Sequence, residues 1–159
     1  METGNTFCDK FAIHASRLWL AGLAPKAPGT AGSAVAAILA PFILMPLPIW
    51  LRIVLVAAIF FVGSHLITRA EKALGSHDPG EIVLDELVGQ WVTFIPFTMV
   101  SPWWIVVGFF VFRFFDITKP FPVRDSEKWF DGGWSVMIDD VIAGFYAMAS
   151  LGVLMWFFG

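Results

Sequence analysis

The chain has 159 residues, of which 58% are hydrophobic and only 14% are charged, and its formal net charge is −3. Ordinary soluble domains are about 45–50% apolar and about 25% charged, so this composition indicates a membrane protein of one domain. No basic stretch is present, which argues against nucleic acid as a partner. The single cysteine, Cys8, excludes an internal disulfide and a multi-cysteine metal site. The first thirty residues lack an uninterrupted apolar core, so we expect no cleaved signal peptide.

The predicted elements begin with an N-terminal arm, residues 1–26, in which the segment 14–24 (HASRLWLAGLA) is predicted to form an amphipathic helix at the membrane interface. Five apolar segments follow, and they predict five membrane helices: 33–47, 49–68, 82–97, 102–115 and 136–158. Several are shorter than the roughly 20 residues that a bilayer requires, so we expect some to be only partly embedded. The predicted fold is an all-α integral membrane bundle formed by a single domain over residues 1–159.

The charges predict the orientation of this bundle. If the five segments all cross the membrane, nine of the ten lysines and arginines fall on one side, and only Arg52 falls on the other. All thirteen aspartates and glutamates lie on the same side as the nine cations, or just within its lip. Because an excess of positive residues marks the cytoplasmic side, we expect the N-terminus inside, the C-terminus outside and the functional groups on the cytoplasmic face.

Acidic residues stand where three of the predicted spans meet that face. The groups are Asp78, Glu81, Asp85 and Glu86 before the third span, Asp116 after the fourth, and Asp139 with Asp140 at the fifth. Acids at a helix N-terminus complement the helix dipole, and this explanation suits Asp78 and Glu81. Asp85, Glu86 and Asp140 lie inside the apolar runs, where a charge is costly unless it is paired or bound to a metal. These acids therefore indicate a functional site.

A divalent cation would balance the convergent carboxylates, since Lys119 and Arg124 are too few to do so. Oxygen ligands favour Mg²⁺ or Mn²⁺ over zinc. The three histidines, His14, His65 and His77, show no HxxxH or HExxH spacing, so a zinc site is not expected.

The glycine-rich turn APKAPGTAGS, residues 24–33, leads into the first apolar segment. Free N–H groups at such a helix start suit an anion such as phosphate, which would make Gly29, Thr30 and Ser33 substrate-binding residues. An ordinary helix cap by Thr30 or Ser33 explains the same pattern, and both interpretations stay open. The turn lacks the GK[ST] ending of a nucleotide-binding loop. Carboxylates, an anion site and nearby cations at headgroup depth together indicate phosphate chemistry on a lipid.

Four motifs, APGTAGS, DPGEIVLDELVGQWV, RFFDITKPFPV and GGWSVMIDDVIAG, resemble in order and spacing the phosphatidylglycerophosphatase A family over about residues 27–144. The resemblance implies an all-helical, Mg²⁺-dependent enzyme of the bacterial inner membrane. Such an enzyme hydrolyses the terminal phosphomonoester of phosphatidylglycerophosphate and releases phosphatidylglycerol and inorganic phosphate. The matching positions are Asp78, Asp85, Glu86, Asp116, Lys119, Asp139 and Asp140, with Gly29, Thr30 and Ser33 in the first motif.

The absence of CxxxxxR and DxDxT motifs argues against a cysteinyl or an aspartyl phosphate, so water activated by the metal is the expected nucleophile. The expected metal ligands are Asp78, Asp85, Glu86, Asp116, Asp139 and Asp140. The general base is expected among Asp85, Glu86 and Asp140, and Lys119 and Arg124 are expected to hold phosphate oxygens. Two alternatives remain: a CDP-alcohol phosphatidyltransferase, whose DGxxAR motif is missing, and a transporter, whose acids should lie near mid-membrane.

Overall fold

The computed structural model describes residues 6–98 and 100–159, and in that part of the chain all regular structure is helical. The seven α-helices are α1 (Phe7–Ser16), α2 (Pro28–Ile43), α3 (Ile49–Leu74), α4 (Leu84–Phe94), α5 (Pro102–Thr118), α6 (Val123–Ser126) and α7 (Gly133–Phe158). A short 3₁₀ turn, Ala21–Leu23, lies between α1 and α2. The all-α prediction is confirmed.

Two helices, α3 and α7, are long and apolar enough to cross a membrane, with 26 residues each, and α2 is a shorter apolar helix of 16 residues. This is a weaker indication of a membrane bundle than the five predicted spans. The third predicted span corresponds to α4, which has only 11 residues and is therefore about 16 Å long. Ten of those residues are buried inside the protein, so α4 is a core helix.

The predicted interfacial helix over residues 14–24 was wrong in its bounds. The helix is α1, which begins earlier with a reciprocal capping box between Thr6 and Asp9. It ends at Ser16, because Leu18 and Trp19 adopt left-handed backbone conformations with φ of 47° and 62°. Such angles cannot continue a right-handed helix.

The buried helix α4 packs against α2, α3, α5 and α7. Its apolar side chains Val88 and Phe94 are completely buried in the core, together with Met137 and Leu151 of α7. The Trp91 indole donates a hydrogen bond of 2.9 Å to the carbonyl oxygen of Ala36 in α2, which satisfies the polar end of this buried ring.

Two glycines allow α4 and α7 to approach closely. A Cβ atom at Gly144 would lie 2.5 Å from the Gly89 carbonyl oxygen, and one at Gly89 would lie 2.6 Å from the Asp140 carbonyl oxygen. Real Cβ atoms do not come so near other atoms, so the crossing requires glycine on both helices. One helical turn before this crossing lie Asp85 and Glu86 on α4 and Asp140 on α7.

The opposite end of α4 is fixed by Arg52, which is only 2% exposed. Its guanidinium donates to the carbonyl oxygens of Leu47 at 2.8 Å, Ile95 at 2.9 Å and Phe97 at 2.8 Å, and also to that of Met45. Carbonyls at a helix C-terminus lack partners within the helix, and Arg52 supplies donors to the chain just beyond α2 and α4. Arg52, which the charge distribution set apart from the other cations, thus has a structural role.

Candidate metal and phosphate site

Three carboxylates from two helices converge at the α4–α7 crossing. Ligand oxygens of Asp85, Glu86 and Asp140 all lie within 4.8 Å of one another. Asp85 and Asp140 are buried, and Glu86 is half-buried. Because Asp85 and Glu86 belong to the first turn of α4, the helix dipole favours their charge. The helix dipole thus offsets part of the cost of two of the three carboxylates, whereas Asp140 lies well inside α7.

These three residues border a cavity of about 290 Å³. The six acidic side chains in its lining are Asp78, Asp85, Glu86, Asp116, Asp139 and Asp140, and the two basic ones are Arg113 and Lys119. The structure therefore brings together all six carboxylates that the sequence motifs single out. If all are ionised, four negative charges remain uncompensated, and repulsion between them is strong in a poorly hydrated site.

Several carboxylate oxygens of the cavity are buried without a hydrogen-bond donor. Within residues 6–98 and 100–159 no donor reaches one oxygen each of Asp85, Glu86, Asp139 and Asp140. Buried polar atoms are nearly always paired, so these oxygens have the capacity to bind a cation. A hard divalent cation such as Mg²⁺ accepts oxygen donors and supplies positive charge. The donor set therefore fits a metal ion of this kind.

Arg113 also lines the cavity, although the sequence marks it only as one of the cations expected on the cytoplasmic side. Its guanidinium forms an ion pair with Asp116 and lies 4.0 Å from a Glu86 oxygen. It also donates to the Ser33 hydroxyl at 3.3 Å. The available signal was the spacing of Arg113 and Asp116, because residues three apart share one face of a helix.

Lys119 ends α5 with a left-handed backbone, at φ 43°. Its ammonium donates to Asp139 at 2.6 Å and also pairs with Glu127. Burial alone would lower the pKa of Lys119, but the hydrogen bonds that its ammonium donates to Asp139 and Glu127 prevail and raise this pKa above its usual value. Lys119 is therefore a permanent cation at the cavity. Arg124, the other predicted phosphate ligand, is exposed on α6 and does not line the cavity.

The glycine turn is only partly at the cavity. Gly29, in the first turn of α2, lines it, and a Cβ atom there would collide with the Glu86 carboxylate. The Ser33 hydroxyl donates to the Gly29 carbonyl at 2.9 Å and accepts from Arg113, but Ser33 does not line the cavity. Thr30 does not line the cavity. The positive end of the α2 dipole nevertheless faces the site.

Asp78 reaches the cavity from the loop between α3 and α4. The loop is held by Glu71, a buried residue of α3 that accepts from the Asp78 amide at 2.8 Å and lies 2.7 Å from a His77 nitrogen. Burial raises the pKa of the Asp78 carboxyl above its usual value. Glu81, in the same loop, instead pairs with Arg17 at 2.6 Å. Glu71 gave no motif signal in the sequence, because its role arises from a loop contact.

Known proteins resemble this chain over most of its length. The family model described as phosphatidylglycerophosphatase A matches residues 15–155. A phosphatidylglycerophosphatase A of Haemophilus influenzae is 39% identical over 80% of this chain and 78% of its own. That of Escherichia coli is 38% identical over 84% and 75%. A putative phosphatidylinositol-3-phosphatase of Bacteroides thetaiotaomicron is 38% identical over 87% and 89%. No solved structure matches the chain.

Proposed function

The chain belongs to the phosphatidylglycerophosphatase A family, and on this premise we propose that it hydrolyses the terminal phosphomonoester of phosphatidylglycerophosphate to phosphatidylglycerol and inorganic phosphate. Two of its relatives are named phosphatidylglycerophosphatase A, and the chain is accordingly an enzyme of the phosphoric monoester hydrolase class. The observation that carries the proposal is the cluster of Asp85, Glu86 and Asp140, whose oxygens lie within 4.8 Å of one another.

The cofactor of the proposed reaction is Mg²⁺, held by Asp85, Glu86 and Asp140. Asp78, Asp116 and Asp139 line the same cavity and are the further ligands or their supports. When bound, the ion stabilises negative charge on the phosphoryl group and makes water more acidic. All donors are carboxylate oxygens, which is the ligand chemistry that Mg²⁺ prefers.

The protein's own cations hold the substrate phosphate. Arg113 presents a planar group with several N–H donors, which suits two phosphate oxygens at once. Lys119, which also lines the cavity, adds a point charge, and the first turn of α2 at Gly29 adds the positive end of a helix dipole. These groups stabilise charge that develops on the transferring phosphoryl group. A carboxylate oxygen of Asp85, Glu86 or Asp140 accepts the proton of the attacking water.

The enzyme works at the bacterial inner membrane, with the cavity at the cytoplasmic face. Helices α3 and α7 cross the bilayer, and the apolar α2 and α5 join them around the buried α4, which makes a membrane bundle of five helices. The exposed aromatic side chains Phe121 and Trp129, in the segment between α5 and α7, lie at headgroup depth. A lipid in the cytoplasmic leaflet then presents its phosphate to the cavity without leaving the membrane.

A second candidate substrate is a phosphorylated phosphatidylinositol, because the Bacteroides relative, whose name is putative phosphatidylinositol-3-phosphatase, is about as similar as the other two. The same carboxylates and cations serve both reactions, since each removes a phosphate from a lipid headgroup. The two candidates therefore differ only in how the cavity mouth accepts glycerol or inositol.

The test is phosphate release by the purified chain in detergent, with phosphatidylglycerophosphate, phosphatidylinositol-3-phosphate and phosphatidic acid as substrates. We expect phosphatidylglycerophosphate to be the fastest, with no activity in EDTA and recovery on addition of Mg²⁺. Faster release from phosphatidylinositol-3-phosphate would replace the proposed substrate by the second one. No release from any of the three lipids with Mg²⁺ present would overturn the proposed activity.

A further inference from the structure

An apolar groove of about 350 Å³ lies on the surface of α7 and is lined by Pro122, Ile142, Phe145, Tyr146 and Ala149. Ile142, Tyr146 and Ala149 follow one another at intervals of four and three residues, so they form one stripe along the helix. The residue that precedes this stripe by three positions is Asp139, which lines the carboxylate cavity. The groove therefore continues the cavity along the same face of α7, for about 15 Å from Asp139 to Ala149.

The segment after α5 borders both the cavity and the groove. Lys119 lines the cavity, and Pro122, three residues later, lines the groove. The Tyr146 hydroxyl donates to the Phe121 carbonyl at 2.9 Å, and its ring stacks on Phe115 with centroids 5.4 Å apart. These contacts hold the wall of the groove in place. The cavity with its Lys119 cation and the apolar groove thus share one short stretch of chain, residues 119–122.

Two further apolar grooves differ in this respect. One, of about 310 Å³, is lined by residues of α1, α3 and α4 and includes Ala58. The other, of about 300 Å³, lies between α3, α4 and α7 and uses the neighbouring stripe of Ile138, Val141 and Phe145. Neither is bordered by the segment that carries Lys119. Of these three grooves, the α7 groove is the one bordered by the segment that carries Lys119.

We propose that this groove binds one acyl chain of the lipid substrate while the headgroup phosphate occupies the carboxylate cavity. This inference rests on the proposed function, because it needs a lipid whose anionic head enters the cavity. The groups of such a lipid follow the order of the protein surface. Its phosphate would lie beside Lys119, and its hydrocarbon chain would lie beside Ile142, Tyr146 and Ala149. Contact with the chain contributes to affinity only for substrates with long acyl chains, since short chains end before the groove is filled.

Ala149→Trp tests the proposal, because an indole at this exposed position fills the groove. Ala58→Trp is the matched control: it also places tryptophan at an exposed alanine in an apolar groove of similar volume. Both variants and the wild type are assayed with dioleoyl and with soluble dihexanoyl phosphatidylglycerophosphate. We expect Ala149→Trp to raise KM for the dioleoyl lipid by about tenfold, the effect of losing about two buried methylene contacts. Its kinetics with the dihexanoyl lipid, and both activities of Ala58→Trp, should be unchanged.

Equal effects of Ala149→Trp on the two substrates, or equal effects of the two variants, would overturn the groove assignment. A lipid with a photoactivatable diazirine in its acyl chain gives an independent measurement that requires no turnover. We expect labelling between Ile142 and Ala149 that excess phosphatidylglycerophosphate suppresses and phosphatidylglycerol does not. Labelling spread evenly over the three grooves would refute the proposal. If the wild type hydrolyses neither lipid but is labelled at α7, the proposed activity fails and the groove stands.

Discussion

Replacement of Gly144 by alanine tests whether the α4–α7 crossing sets the spacing of the carboxylates. The new Cβ atom would lie 2.5 Å from the Gly89 carbonyl oxygen and 2.9 Å from the Val92 Cβ atom, whereas ordinary contacts are 3.4–4 Å. A backbone carbonyl cannot turn aside as a flexible side chain can. The two helices must therefore separate by about 1 Å in a densely packed interior.

This separation affects stability and catalysis differently. Overpacking of this kind costs about 1–3 kcal/mol in the free energy of unfolding. Asp140 lies one turn from Gly144 and moves with it, away from Asp85 and Glu86. Since a misplacement of about 1 Å can cost about 10²-fold in rate, we expect kcat to fall by about that factor and the half-saturating Mg²⁺ concentration to rise. The assay is lipid phosphate release at increasing Mg²⁺, with the melting temperature measured on the same samples.

Gly152→Ala is the matched control, because Gly152 lies on the same helix and its added Cβ atom would meet only Phe97, at 3.8 Å. Alanine is favoured over glycine within a helix by about 0.5–1 kcal/mol, so this variant should be slightly more stable and fully active. If Gly144→Ala keeps the kcat and the Mg²⁺ dependence of the wild type, the close crossing does not set the carboxylate spacing.

Three other predictions concern the metal, the glycine turn and the topology. Asp85→Asn should abolish activity and the rise in melting temperature with Mg²⁺, but it should not destabilise the metal-free protein, because a repelling charge is removed. Glu81→Gln should have only a small effect on activity and on this rise. A rise in melting temperature of Asp85→Asn as large as that of the wild type would contradict the proposed ligand set. Gly29→Ala should weaken Mg²⁺ binding by displacing the Glu86 carboxylate, whereas Thr30→Val should leave kcat and KM within about twofold of the wild type. A large effect of Thr30→Val together with no effect of Gly29→Ala would instead assign Thr30 to phosphate binding. If the chain crosses the membrane five times from a cytoplasmic N-terminus, a reporter fused after Gly159 should be periplasmic. A cytoplasmic reporter would exclude five crossings.

The carboxylate site was predictable because it violates the rules that govern the rest of the sequence. Acids such as Asp85 and Asp140 stand inside apolar runs, where only a function explains their cost. The all-α class was predictable from the same long apolar segments. The burial of α4 was not, because a continuous apolar run looks the same in a membrane span and in a core helix. Only the packing of α4 against four neighbouring helices distinguishes the two.

The cations were harder to assign than the acids. Arg113 and Arg124 look equivalent in a count of cytoplasmic charges, yet Arg113 lies in the cavity and Arg124 is exposed on α6. Arg113 precedes Lys119 on α5, whereas Arg124 follows it on α6. The path of the chain after Lys119 decides the position of Arg124, and no sequence periodicity predicts that path. In the N-terminal arm, Leu18 and Trp19 are apolar residues in left-handed conformations, and residues of this type give no sign of a helix end in a sequence.

Arg52 has a consequence for the site at the other end of the molecule. An α-helix is stiff along its axis because every turn is hydrogen-bonded to the next. By binding the carbonyls of Ile95 and Phe97 just beyond α4, Arg52 fixes the axial position of the whole helix. A slide of one residue would carry Asp85 and Glu86 about 1.5 Å past Asp140. The alignment of the clustered carboxylates thus depends on a guanidinium about 16 Å away, the length of α4, which lies outside the cavity.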